Sequence, residues 1–423
     1  MAVAKSIISN VRDTKITGFL KEKKVVQEDS DKGMELYLWV GKILDEAKIT
    51  AEELNDCLYH ELMFGHRRFI RLYELKNIRK IKREEDWNDL LTTYDCPSMN
   101  FNRILHTNLS VDEKVKIAAM STDVIGEVIQ KVDILFVYNM EIKNRETGAP
   151  MHSYSYLPTT FDLNAKTITI KVWNKDDAME ENTPIQQLDD IFHRLELKLE
   201  FDTHSISVDP QKVLYRMSKA LFDDFFRKLP NTDEVEAKKD NLSAIVNSLI
   251  SNVTLQNSED DNGKITMNPE VINVQEEMYK LLQQVALYDY LKDNDIKTLL
   301  ENTDKYISRI RFSDRDNLTA SLTSETGVRC IFDAKTFMCV RNSLDLVESI
   351  VSIVVSFVPP NKKGLLSVKY DASFRTYLNI HILNNRYYTE DEFSKIWELY
   401  KRYETEGNAI TGIVCVEDNA EAM

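Results

Sequence analysis

The sequence predicts an α+β fold: two duplicated lobes of β-hairpin–helix–strand–helix units with largely antiparallel sheets, behind a helical N-terminal region. Three observations lead there. Apolar residues at helical spacing alternate along the chain with short strand-like runs. The strands come in pairs joined by short turns, the antiparallel connection. Finally, Phe161-Asp162-Leu163-Asn164-Ala165-Lys166-Thr167 has an echo in Phe332-Asp333-Ala334-Lys335-Thr336, and the interval from Lys166 to Asp202 equals that from Lys335 to Asp371. The expected organisation is a mainly helical region with a basic strand over 1–110, a first lobe over 111–230, a linker with a short helix over 231–272, a second lobe over 273–405 and an acidic tail over 406–423.

Taken in order, residues 1–33 read as a loose lead. Leu36, Val40, Ile43 and Leu44 share one helical face. Thr50 with Glu53 makes a capping box for a helix through Leu54, Leu58 and Leu62 that Gly65 ends. Arg67–Tyr73 reads as a strand, Asp112–Lys131 as a helix, and Ile134–Val137 as a strand. The first lobe then has a hairpin around Phe161, a helix with Ile185, Leu188, Phe192 and Leu195, and a strand through Phe201. Asp209 and Pro210 open a helix burying Leu214, Met217, Leu221 and Phe225. The second lobe has a helix through Val274, Met278, Leu281 and Val285, a strand over Tyr306–Phe312, a helix with Val347, Ile350, Val351 and Val354, and a strand ending at Asp371. An extra strand, Tyr377–Leu383, and a helix capped by Thr389 and Glu392 complete it.

A length of 423 residues allows two or three cores, and 43% hydrophobic with 29% charged residues is ordinary for a globular chain. The net charge of −15 opposes unspecific attraction to nucleic acid or anionic membrane, though a local basic face survives it. Five scattered cysteines make no disulfide framework, and no apolar run is long enough to span a bilayer. The expected setting is cytoplasmic, with no membrane association.

One stretch reverses the sign of the chain. Arg67, Arg68, Arg71, Lys76, Arg79, Lys80, Lys82 and Arg83 stand against the single acid Glu74. Such a cluster is what phosphate contact requires, because each neutralised phosphate releases a counterion. Phe69 and Tyr73 between them have rings on which the bases of a single strand could stack. These ten residues are the candidate nucleic-acid surface; the competing reading is ion pairing within the protein.

The catalytic alternative is a metal-dependent nuclease. Glu196-Leu197-Lys198 has the E-x-K pattern, with Asp190 upstream; the carboxylates would hold Mg²⁺ and the lysine would position water. Glu74-Leu75-Lys76 and Glu141-Ile142-Lys143 also match, so the triplet recurs by chance in this composition. Asp176-Asp177 and Asp223-Asp224 read as solvated faces, and no histidine or cysteine spacing predicts a zinc site. No phosphate-loop, dinucleotide or nucleophile-elbow pattern occurs, so no cofactor is expected beyond that Mg²⁺.

The expected function is a non-catalytic binding or scaffold subunit that contacts a partner protein, DNA or RNA. An AT-rich microbial composition, high in Lys, Asn, Asp and Ile, suggests an antiviral multi-protein system as its context. A third possibility is a small-molecule sensor with a pocket between the lobes.

Overall fold

The computed structural model describes residues 3–410 except 111, 145–146, 176–177, 180–181, 204–205, 251–257, 260–264, 267–273, 302, 314–318, 325–328, 334–336, 360–363 and 384. The chain divides into two compact units, residues 1–207 with 374–397 and residues 208–373 with 398–423. Both mix helices with antiparallel strands, so the class is α+β. The acidic tail beyond 410, Asp176-Asp177, the echo Ala334–Thr336 and much of the linker lie outside the described residues.

The first unit begins with α1 (Lys5–Ile8), α2 (Asp13–Glu22), α3 (Leu36–Asp45) and α4 (Ala51–Met63). Thr50 and Glu53 form the capping box at the start of α4. Strand β1 (Phe69–Glu74), α5 (Asn88–Thr93), β2 (Phe101–Asn102), β3 (Val115–Ile125), β4 (Val128–Lys143), β5 (Pro150–Asp162), β6 (Thr167–Val172) and α6 (Pro184–Leu199) follow. The second unit holds α7 (Pro210–Phe226), α8 (Thr232–Ala237), α9 (Lys239–Ile250), β7 (Ser258–Glu259), β8 (Ile265–Thr266), α10 (Val274–Asp293), α11 (Ile296–Glu301), β9 (Lys305–Ser313), β10 (Thr319–Thr323), α12 (Phe337–Val347), β11 (Ser352–Phe357) and β12 (Leu366–Asp371). The chain then returns to the first unit with β13 (Leu378–Ile382) and the start of α13 (Glu390–Ile410).

Strands of the first unit run in the order β13-β1-β6-β5-β4-β3-β2, each antiparallel to its neighbour. Each face of this sheet is packed. Ile168, Ile170 and Val172 of β6 and Phe136 of β4 join Trp87 and the apolar stripe of α6 (Leu188, Ile191, Leu195) in one core. Leu135, Val137, Ala119 and Tyr156 on the opposite face pack under α1–α4, against Ile7, Ile16, Leu54 and Leu58. In the second unit the strands run β10-β9-β11-β12, also antiparallel. Asp209 accepts the Gln211 amide as N-cap of α7, whose Leu214, Met217, Leu221 and Phe225 are all buried as the sequence predicts.

Several elements differ from expectation. Residues 3–33 are no loose lead: Ile7, Ile8, Val11, Ile16 and Leu20 are buried in α1 and α2 and the bend between them. Helices this short leave little periodicity to read. Asp112–Lys131 is not a helix but the β3–β4 hairpin, turning at Gly126 with φ +65°. Ile117, Ala118, Ala119 and Met120 are all buried because both faces of the sheet are covered, which erases the alternation that marks a strand. The segment through Phe201 is also no strand; α6 runs to Leu199, and Glu200 takes a left-handed conformation. In α10 the buried side is Tyr279, Lys280, Gln283 and Leu287, while Leu281 and Val285 are exposed.

The duplicated lobes are not what the chain builds. At the constant offset, β6 falls against α12, and α6 falls against β11. The β-branched run Ile350–Val355 fits a short buried strand as well as a helix, and apolar periodicity alone does not separate the two.

One glycine fixes the path from α4 into β1. Gly65 has φ +67° and pairs with Tyr388 through both backbone hydrogen bonds, at 3.1 and 3.2 Å. A Cβ there would come within 2.8 Å of the Tyr387 ring and 2.9 Å of the Glu61 carbonyl. We expect Gly65→Ala to lower the unfolding free energy by roughly 2 kcal/mol or more, measured by urea denaturation. A change below a few tenths would show that the turn accommodates a side chain.

Candidate functional site

The helix-covered face of the first sheet changes character along its length. Under α1–α4 it is apolar, but further along the same strands the inward positions become polar. Cross-strand register lines them up in two rows: Ser121, Asp133, Thr160 and Thr169, then Asp123, Lys131, Asp162 and Thr167. Lys171 comes next on β6. The C-terminal end of α4 and the start of α13 flank this polar area with Tyr59, Phe64, Phe393 and Trp397, enclosing a cavity of about 390 Å³. Strict alternation puts the apolar half of β6 into the other core, so its polar half has nowhere else to go.

Lys171 is the unusual member. It is 2% exposed, and its Nζ donates to the Met63 carbonyl at 3.3 Å. That carbonyl belongs to the last residue of α4, where the helix dipole favours a cation. The ammonium also lies 3.9 Å from the Phe64 ring centroid and 4.6 Å from that of Phe393, within cation–π range. Among the described residues no carboxylate pairs with it. Asp133, the nearest acidic influence, is occupied by Lys131 at 2.8 Å and by the Thr160 hydroxyl at 2.6 Å. Burial therefore pushes the Lys171 amine down to about 7, only partly opposed by the Asp133 charge. An amine poised there serves as a cationic anchor when protonated and as a nucleophile or base when neutral.

Three other buried cations, Arg71, Arg341 and Lys280, are met by acids. Arg71, 1% exposed, is held by Asp189, by Asn379 at 3.3 Å and by the Tyr73 hydroxyl at 3.2 Å. The second unit has a cavity of about 310 Å³ beside α7, α10 and α12. There Arg341 donates to Gln283 at 2.7 Å and stands 3.7 Å from Asp223, while Lys280 pairs with Glu277 and Asp345. Those charges are matched from within.

The sequence-derived candidates fall elsewhere. Arg67, Arg71 and Tyr73 are buried in or beside β1, an interior strand, and have no surface to offer a phosphate backbone. The Tyr73 ring stacks on Phe192 with centroids 4.0 Å apart, and Phe69 packs on His381. Lys76 pairs with Glu74, Lys80 with Glu200 and Arg83 with Glu85. Arg68 and Lys82 are half-buried, and Arg79 is exposed.

Asp190, Glu196 and Lys198 sit on helix α6 rather than on the strand the nuclease reading needs. Asp190 is paired with Arg194 and Lys114, and Lys198 with Asp89. Glu196 and Lys198, two residues apart on a helix, face different directions. The three do not share one metal shell. Among the described residues, no group of three acidic, histidine or cysteine side chains converges as ion ligands.

Sequence reading missed Lys171. Alternation of Thr167, Thr169 and Lys171 with Ile168, Ile170 and Val172 looks like an ordinary solvated strand face; only the distant α13 makes it a buried one. No protein-family description matches the chain, and no curated protein is significantly similar to it in sequence.

The Lys171 amine sets a pH dependence with a definite sign. Its folded-state value, about 7, lies below the unfolded value near 10.4. Between the two the unfolded chain binds more protons, so stability rises with pH across that window and is lost as pH falls towards 7, at up to about 1.4 kcal/mol per pH unit. Lys175, also lowered to about 7 by burial, adds in the same direction. Above about pH 10 the buried phenols of Tyr156 and Tyr388, both pushed up by burial, oppose the trend. We expect Lys171→Met to flatten the rise between pH 7 and 10 and to leave stability at pH 7 equal or higher. Denaturation at stepped pH checks this, and an unchanged slope would show that the amine keeps an ordinary pKa.

Proposed function

We propose that this chain is a binding subunit whose first unit holds a small polar ligand in the cavity over β4, β5 and β6, with Lys171 as its anchor. The observation that carries this reading is the helix-covered sheet face that turns from apolar to polar and contains an amine without a carboxylate partner among the described residues. A core built for stability alone would fill such positions with aliphatic side chains, since unpaired buried charge is costly. The lining suggests the ligand's chemistry. Lys171 suits an acceptor such as a carboxylate or carbonyl, while Asp123, Asp162 and Glu390 suit hydroxyl or amino donors. Phe393 and Trp397 add apolar surface.

This is the sensor reading placed within one unit. It displaces the extended nucleic-acid surface because several of that surface's residues are buried or paired. A partner protein that reads the occupied state fits the expectation of a multi-protein system and is part of the proposal.

The neutral form of the amine favours a second reading, imine formation with a carbonyl substrate. One experiment addresses both. Wild-type protein and the Lys171→Met and Asp133→Asn variants are dialysed against a microbial metabolite extract, with and without cyanoborohydride, and analysed by mass spectrometry. Enrichment of a small polar compound by the wild type, reduced at least about tenfold in Lys171→Met, is the expected result. A reduced covalent adduct on Lys171 would favour the catalytic reading. Identical profiles for all three proteins would remove the cavity from consideration as a ligand site.

A further inference from the structure

The cavity over β4, β5 and β6 holds more acid than its own cations answer. Asp123, Asp133, Asp162 and Glu390 line it against Lys131 and Lys171. Lys131 and Asp133 pair with each other at 2.8 Å. Asp123, Asp162 and Glu390 form no ion pair among the described residues; Asp162 accepts the Ala165 amide at 2.8 Å. Glu390 opens α13, yet the capping there is done by Glu392, which accepts the Thr389 amide at 3.2 Å and also holds Arg386.

These acids face a common space. After burial, the largest influence on the Lys171 and Lys131 amines and on the Tyr59 phenol is in each case Asp133. Glu390 acts on all three, and Asp123 on the last two. Position along the strands separates the two signs. Asp123 and Asp162 lie level with Thr167, about 13 Å of strand from Lys171. At the Lys171 end the ammonium has three protons to donate, and among the described residues only the Met63 carbonyl accepts one. Phe393 and Trp397, one turn apart on α13, give the same cavity an apolar wall.

On the basis that this cavity holds a ligand, as proposed above, we infer that the ligand is a basic amino acid. Its carboxylate meets Lys171, its amino groups meet Asp123, Asp162 and Glu390, and its methylene chain runs along Phe393 and Trp397. A phosphate or dicarboxylate would bring more negative charge to three acids that have no cation. A diamine would satisfy those acids and leave Lys171 without an acceptor. An amino acid with an apolar side chain brings one ammonium for three carboxylates. A basic amino acid brings an acceptor and two cations.

The test is isothermal titration calorimetry of the full-length protein with free lysine, ornithine and arginine. Two controls accompany them: norleucine, which is lysine without its side-chain amine, and cadaverine, which is lysine without its carboxylate. At least one basic amino acid is expected to bind about tenfold or more tightly than either control. Asp123 and Glu390 are exposed, so Asp123→Asn and Glu390→Gln keep the core intact. Each is expected to weaken that binding roughly fivefold and to leave any norleucine binding unchanged, a difference that general loss of structure does not produce. Either control binding as well as the basic amino acids would overturn the assignment, as would unchanged affinity in both variants or no binding by any of the compounds. The dialysis experiment then separates the two proposals. A compound held by the wild type and lost in Lys171→Met keeps the cavity as a site for another class of ligand, whereas identical profiles remove both.

Discussion

Taking an ammonium or guanidinium out of water costs several kcal/mol even after the protein relaxes, and only close carboxylates or a full set of hydrogen bonds offset it. The buried cations of this protein meet that constraint in two ways. Arg71, Arg341 and Lys280 are held by acids of the same chain, and nothing about them asks for a visitor. Arg67, Lys171 and Lys175 have carbonyls, hydroxyls or aromatic faces for company and no carboxylate among the described residues. All three lie near the junction of α4 and β1, where Gly65 lets the backbone turn sharply. The Met63 carbonyl that accepts from Lys171 immediately precedes that turn, and His66 and Arg67 immediately follow it.

The sheet makes this arrangement possible. Because both faces of the first unit's sheet are covered, every inward side chain is committed to one helical layer or the other. The face under α6 is apolar, with Ile168, Ile170, Val172 and Phe136 in contact with the helix stripe. The other face is apolar only where α1–α4 cover it, and its polar remainder meets α13. Leu, Ile or Val at Thr167, Thr169 and Lys171 would have extended the existing core at no topological cost. A threonine pair and a lysine there forgo apolar burial of about 1.5–3 kcal/mol for each fully buried aliphatic side chain.

Much of the local structure was legible in the sequence, and the reasons are specific. Thr50 with Glu53, Asp209 with Pro210, and Thr389 with Glu392 announce helix starts through short-range hydrogen bonds that need no tertiary context. The strands at Phe69, Ile134, Tyr306 and Leu378 carry β-branched and aromatic runs of the right length. Where reading failed, the missing information was tertiary. Ile117–Met120 lost its alternation to burial on both faces, and Leu281 and Val285 gave α10 an apolar stripe on the exposed side. The echo of Phe161 in Phe332 precedes different elements, β6 in the first case and α12 in the second.

The candidate sites show the same limit more sharply. A run of basic residues is visible in any sequence, so Arg67–Arg83 drew attention as a surface. Once folded, it is dispersed among an interior strand and ordinary ion pairs. The residues of greater interest are single cations at alternate strand positions or next to a helix end, which look unremarkable in one dimension. What sets Lys171 and Arg67 apart is the absence of a carboxylate partner among the described residues, a property of the folded neighbourhood rather than of any spacing. In a chain this rich in carboxylates, a cation left without one is therefore a better pointer to a ligand than a cluster of cations whose partners lie a few residues away.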